Sequence, residues 1–271
     1  MASLALRNRL ATSSAVAGFL LATHALWPDP QARAERQYLF VITLGYGHLL
    51  GAALFGRRRT ASLVPRGTPR PLHGAFVAAS VANLFALYAW LSNASLAIFL
   101  PLLAVSLWHI VENDLALGRA SQEGLALGAL PRSLGQQLTA LGTTALLLAA
   151  GKFLLSHPPR GPRDLSFGDF FSAVTLYHLV QFLVLFADRA RAQPRRSKRR
   201  RLWLRLAWVH GPPASVCVAL LLPPGHRFAA LRYAIFSPQI YLFWSVLHVA
   251  QTVAARGLER RPARAPAELR A

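Results

Sequence analysis

Residues 103–120 read LAVSLWHIVENDLALGRA, the end of an apolar run that starts near Ser95 and carries His109, Glu112, Asn113 and Asp114. A carboxylate three residues beyond a histidine lies on the same helix face, one turn further along. Arg119 follows ten residues after His109. The segment reads as a helix crossing a bilayer, with polar groups at mid-depth and a basic residue at its end.

Working outward, the same pattern repeats. Apolar runs close to the ~20 residues that span lipid lie at about 10–27, 38–56, 73–92, 95–115, 138–156, 167–187, 203–222 and 231–255. Between them stand WPDPQ (27–31), GRRRTASLVPRGTPRP (56–71), SNAS (92–95) and SHPPRGPRD (156–164), all rich in turn residues. Of the 271 residues, 54% are hydrophobic and only 15% charged, far more apolar than a soluble domain requires. The expectation is an all-α, polytopic membrane bundle of about eight transmembrane helices. They form one domain over 1–255, followed by a basic, disordered cytoplasmic tail at 256–271. The segment LATHALW (21–27) has no small-x-small cleavage pattern, so the first span is read as a retained helix rather than a signal peptide.

The net charge of +20 would point to nucleic acid in a soluble protein. Here the arginines fall between apolar runs, where they mark loops facing the anionic cytoplasmic leaflet. No P-loop, CxxC pair or RNA-binding aromatic motif is present, and nucleic acid is not an expected partner. With the N-terminus inside, most of the 30 basic residues are cytoplasmic: Arg7 and Arg9, Arg57 to Arg70, Arg119 and Arg132, the block from Arg189 to Arg205, and the tail. Both termini are then cytoplasmic, and RARAQPRRSKRRR (189–201) reads as a solvated loop. Abundant Arg and Ala suit a bacterial inner membrane. Cys217 is the single cysteine, which excludes a disulfide framework and a cysteine-rich metal site.

Four of the nine histidines share one depth. His48 (LGYGHLLG), His109 (SLWHIVEN), His178 (TLYHLVQF) and His248 (SVLHVAQT) lie in the second, fourth, sixth and eighth spans, all running from outside to inside. The next arginine follows after nine, ten, eleven and eight residues respectively. At 1.5 Å per residue that is about 12–16 Å, near the midplane of a core about 30 Å thick. Three positions on from each histidine stand Gly51, Glu112, Gln181 and Gln251. Polar groups at this depth must face inward and find partners. His210 (LAWVHGPPAS) lies nine residues after Arg201 on the inside-to-outside seventh span, so its depth is similar. Pro212 and Pro213 beside it are expected to kink or break that helix. His24, His73, His157 and His226 fall at span ends and read as interfacial. Tyr46, Trp108 and Tyr177 border the layer and read as packing residues.

Neutral imidazoles with one carboxylate suit non-haem iron or zinc. His48, His109, His178 and His248 are the expected metal ligands, with His210 a fifth candidate. Glu112 is the candidate catalytic carboxylate, either as a ligand or as the acceptor that orients one. Haem b is an alternative, since two facing histidines also make an axial pair.

The windows WHIVEND, GYGHLLGAALF and VLHVAQTVAARG resemble the Brp/Blh family, integral membrane oxygenases that cleave β-carotene to retinal with histidine-bound iron. Asp114, five residues after His109, is similar to that family's H-F-G-x-x-D stretch. The Pro and Asp of its P-H-G-x-x-D segment are missing around His48, and where it carries two histidines four apart this chain has His178 and Phe182. The resemblance implies an iron-dependent oxygenase acting on a lipophilic, polyene-like substrate drawn from the membrane. A haem-b electron-transfer protein and a transporter or proton relay using the same histidines are the competing classes.

Overall fold

The structure, a computed structural model, describes residues 4–63, 103–104, 106–115, 134–221, 235–237, 240–241, 244–245 and 248. Five long helices are seen among them: α1 (Leu4–Leu26), α2 (Pro30–Leu63), α3 (Leu134–Ser156), α4 (Phe167–Arg191) and α5 (Arg196–Leu221). Residues 106–115 form a further helical segment, and no strand occurs among the described residues. The expected span at 73–92, residues 95–102 and 105 of the next, most of the span at 231–255, the loops at 92–95 and 222–231, and the tail lie outside the described residues.

Two expected breaks are corrected. Helix α2 does not stop at Gly56 but runs to Leu63. Arg, Thr, Ala, Ser and Leu all tolerate helical geometry, and the first strong breaker is Pro65. The run RARAQPRRSKRRR is not a long solvated loop either, since α4 continues to Arg191 and α5 restarts at Arg196. Only the four residues around Pro194 interrupt it. Pro212 and Pro213 lie inside α5, which continues across both.

The breaks at WPDPQ and SHPPRGPRD are found where expected. After the second, α4 opens on a capping box: the Ser166 side chain accepts from the Asp169 backbone N–H, while the Asp169 carboxylate accepts from Ser166. That carboxylate is also the centre of a buried polar knot. Oδ1 accepts from Arg33 Nε at 3.2 Å and Gln37 Nε2 at 2.8 Å, with His24 Nε2 at 3.2 Å. Oδ2 accepts from Arg33 Nη2 at 3.3 Å and from Ser166 N and Oγ, each at 2.8 Å. Arg33, with no exposed surface, spends its remaining donors on the carbonyls of Pro162 and Asp164. The knot fastens the end of α1, the start of α2 and the start of α4.

At the opposite end Arg7 of α1 pairs with Asp188 of α4 at 3.2 Å. Helix α4 therefore runs parallel to α2 and antiparallel to α1. Between the two ends Val16, Val41, Leu176 and Leu179 form the shared core. Segment 106–115 also runs parallel to α4, with Leu103 near Phe170 around Gly151 and Asp114 against Gln181. The described residues Ile235, Phe236 and Tyr241 follow the direction of α2: Tyr46 OH and Tyr38 OH donate to the carbonyls of Ile235 and Phe236, and the Tyr46 and Tyr241 rings meet edge-on at 5.6 Å. Helix α5 lies antiparallel on α2, with His210 against Gly47 and Cys217 bonded to Thr43.

Two helical stretches, Leu134–Ser156 and Phe167–Asp188, are long and apolar enough to cross a membrane. Large apolar side chains face out: Leu134, Leu138, Leu141, Leu146 and Phe153 on α3, and Leu204, Trp208 and Val218 on α5. Among the buried apolar residues lie the polar side chains of Arg33, Gln37, Asp169, Ser172, His48 and His109.

Candidate metal centre

The alignment of α2, segment 106–115 and α4 brings His48, His109 and His178 together, and His248 joins them. The His48 and His178 rings lie 4.8 Å apart, His48 and His248 5.0 Å, His109 and His178 5.3 Å, and His109 and His248 5.4 Å, all edge to face. His48 and His109 are buried, with 7% and 4% of their surface exposed. The four histidines that the sequence placed at one depth meet.

Three of them converge by their ring nitrogens. His48, His178 and His248 each offer one nitrogen, and these atoms all lie within 4.8 Å of one another. Nε2 of His48 and Nε2 of His178 are 3.1 Å apart. A metal bound at 2.0–2.1 Å to each of two imidazoles at the tetrahedral angle separates their nitrogens by about 3.3 Å. The His48–His178 pair is close to that spacing. The donor set, three neutral nitrogens, suits iron or zinc. It suits haem poorly, because axial histidines stand on opposite sides of a flat macrocycle whereas these rings pack edge to face around one point.

Sequence GYGH explains how α2 delivers His48. A Cβ on Gly45 would run into the Tyr241 ring, and one on Gly47 into the His210 ring. Glycine at both positions lets Tyr241 and the His210 ring of α5 approach α2 next to the histidine. His210 is thereby held beside the cluster but outside the group of three, in a tilted ring contact with Phe182 at 6.4 Å.

His109 and Glu112 also lie outside that group. Glu112 is buried one turn from His109. The side chain that meets His109 Nε2 is Asn113, whose amide nitrogen is 3.1 Å away. The carboxylate that connects helices is Asp114, which the sequence offered only through a family likeness. Its Oδ1 accepts from Tyr177 OH and Gln181 Nε2, both at 2.9 Å, and its Oδ2 pairs with Arg9 Nη2 at 2.7 Å. Gln181 is indeed buried and polar at the histidine level, but its partner is this carboxylate. Tyr177, read as a packing residue, has a hydrogen-bonding role. Tyr46, likewise, donates to Ile235 O at 2.5 Å.

Among the interfacial histidines, His157 is exposed and bonds only its own helix at Phe153 O, 2.9 Å away. His24 instead joins the Asp169 knot. His73 and His226 lie outside the described residues.

No family model matches the chain, and neither does any curated protein or solved structure.

Proposed function

We propose that the chain is an eight-helix integral membrane protein whose interior holds one metal ion between His48, His178 and His248, with His109 alongside. The observation that carries this reading is the convergence of ring nitrogens from three separate helical elements. Independent structural histidines have no reason to meet at one point. The outward apolar faces of α3 and α5 support a lipid surrounding.

With three histidine donors and a position left for a reactant, the centre fits a non-haem iron oxygenase better than a closed structural site. Iron held there would supply oxygen activation. The protein's own part is to fix the three rings, exclude water with the surrounding helices, and present an apolar approach to a lipophilic substrate, a polyene in the first instance. His109, bonded to Asn113 and packed against the His178 and His248 rings, is the natural group to orient the reactant. Glu112, buried on the same segment one turn further on, is assigned to proton transfer.

The test is oxygen uptake by iron-loaded protein in lipid nanodiscs supplied with long-chain polyenes. Uptake that tracks loss of polyene absorbance supports the reading. A Soret band in the purified protein, or iron-loaded protein inert toward every polyene tried, contradicts it.

A further inference from the structure

We propose that Asp114 is a positioning residue of the histidine centre. This inference rests on the metal-centre reading above and adds a residue that touches no candidate ligand directly. The carboxylate sits on the segment that carries His109, five residues further on, next to Asn113, whose amide meets His109 Nε2. Its two hydrogen-bond donors on α4, Tyr177 and Gln181, flank His178 by one residue before and three after. One side chain thus clamps the helical turn behind His109 to the helical turn that presents His178.

The clamp is fixed from a third side. Arg9 of α1 pairs with Oδ2 at 2.7 Å, and the same guanidinium reaches Oδ1 and the Asp114 carbonyl, each at 3.3 Å. Oδ1 receives three donors and Oδ2 one, so the carboxylate is held in a single orientation. Carboxylates behind the ligands are a usual means of holding imidazoles in place before the ion arrives; here, sliding or turning the segment that carries His109 relative to the turn that carries His178 would have to break these bonds.

A simpler role has to be separated from this one. Asp188 also joins α1 to α4, through Arg7 at 3.2 Å and Arg191 at 3.5 Å, without approaching a histidine. It serves as the control: the same residue type, likewise paired with an arginine of α1, away from the cluster.

The experiment uses full-length protein in detergent or nanodiscs, titrated with cobalt(II) chloride and followed by the visible absorption of the bound ion. Four proteins are compared: the unaltered chain, Asp114→Asn, Asp114→Leu and Asp188→Asn, each also assayed for thermal unfolding. The unaltered chain and Asp188→Asn are expected to bind cobalt with the same affinity and spectrum. Asp114→Leu is expected to bind roughly ten- to a hundredfold more weakly with a shifted spectrum. Asp114→Asn, which keeps one acceptor oxygen, should fall between. Affinity and spectrum unchanged in Asp114→Leu would overturn the inference while leaving the metal centre intact. So would equal losses in Asp114→Leu and Asp188→Asn, which mark a merely structural tie. No cobalt bound by the unaltered chain would instead overturn the metal-centre reading itself.

Discussion

The buried knot around Asp169 and the cluster around His48 are both polar interiors of one helical bundle, and they are built in opposite ways. At Asp169 a single carboxylate takes donors from Arg33, Gln37, His24 and Ser166, and the arginine spends its remaining donors on backbone carbonyls. At the cluster, Nδ1 of His48 and Nδ1 of His178 are buried without a hydrogen-bond partner, while Gln37 Oε1 is the one such atom among the described residues of the knot. Buried polar groups are ordinarily satisfied, and those that are not tend to mark a function. The first region spends most of its polarity on holding helices together. The second brings ring nitrogens of three helical elements within 4.8 Å of one another, with His48 and His178 hydrogen-bonded at 3.1 Å.

Substitutions should divide accordingly. The largest effect expected is on metal: His178→Ala removes one of three donors and should strip the ion, while His157→Ala leaves content unchanged, as read by elemental analysis of the two purified variants. Equal content in both would dissolve the distinction between the two regions. Asp169→Ala should act on stability instead. It leaves Arg33 charged and buried without its partner, a change that costs about 3–5 kcal/mol, visible as lowered yield and a depressed unfolding midpoint. Metal per folded molecule should hold steady. A variant as stable as the parent would mean that the knot is not the fastening it looks to be.

Gly47→Ala lies between the two regimes. The added methyl meets the His210 ring, and overpacking of this kind costs about 1–3 kcal/mol, partly relieved if His210 swings away. Because His48 is the next residue, weaker metal binding should accompany the lost stability, and a stability loss alone would count against the glycine argument. The smallest effect belongs to Asp188→Asn. Arg7 and Arg191 are largely exposed, and such ion pairs are worth less than about 1 kcal/mol. A midpoint shift as large as that of Asp169→Ala would reverse the ranking.

Much of the centre could be read from the chain because depth in a membrane helix is set by residue counting. His48, His109, His178 and His248 stand at similar distances from the arginine that follows, and similar distances on parallel helices mean one level. What counting cannot give is rotation about the helix axis. That is why His109, His210 and Glu112, all at the right level, fall outside the group of three. The knot was hidden for a different reason. Arg33 and Gln37 precede the apolar run from Tyr38, so hydropathy alone assigns them to a loop. The signals were local: Ser166 and Asp169 have capping-box spacing, and Arg33 and Gln37 share a helix face at i,i+4. Helix ends were misjudged where arginine-rich stretches were assigned to loops, since arginine is a good helix former: α2 continues through Arg57 to Arg59, and between α4 and α5 only the residues around Pro194 leave the helix.

The most direct test is elemental analysis of the intact protein, purified without added metal and paired with its optical spectrum. One iron per chain with no Soret band is the predicted result. A chain that carries no transition metal after purification, and takes up none when iron(II) or zinc is supplied, would contradict the central claim.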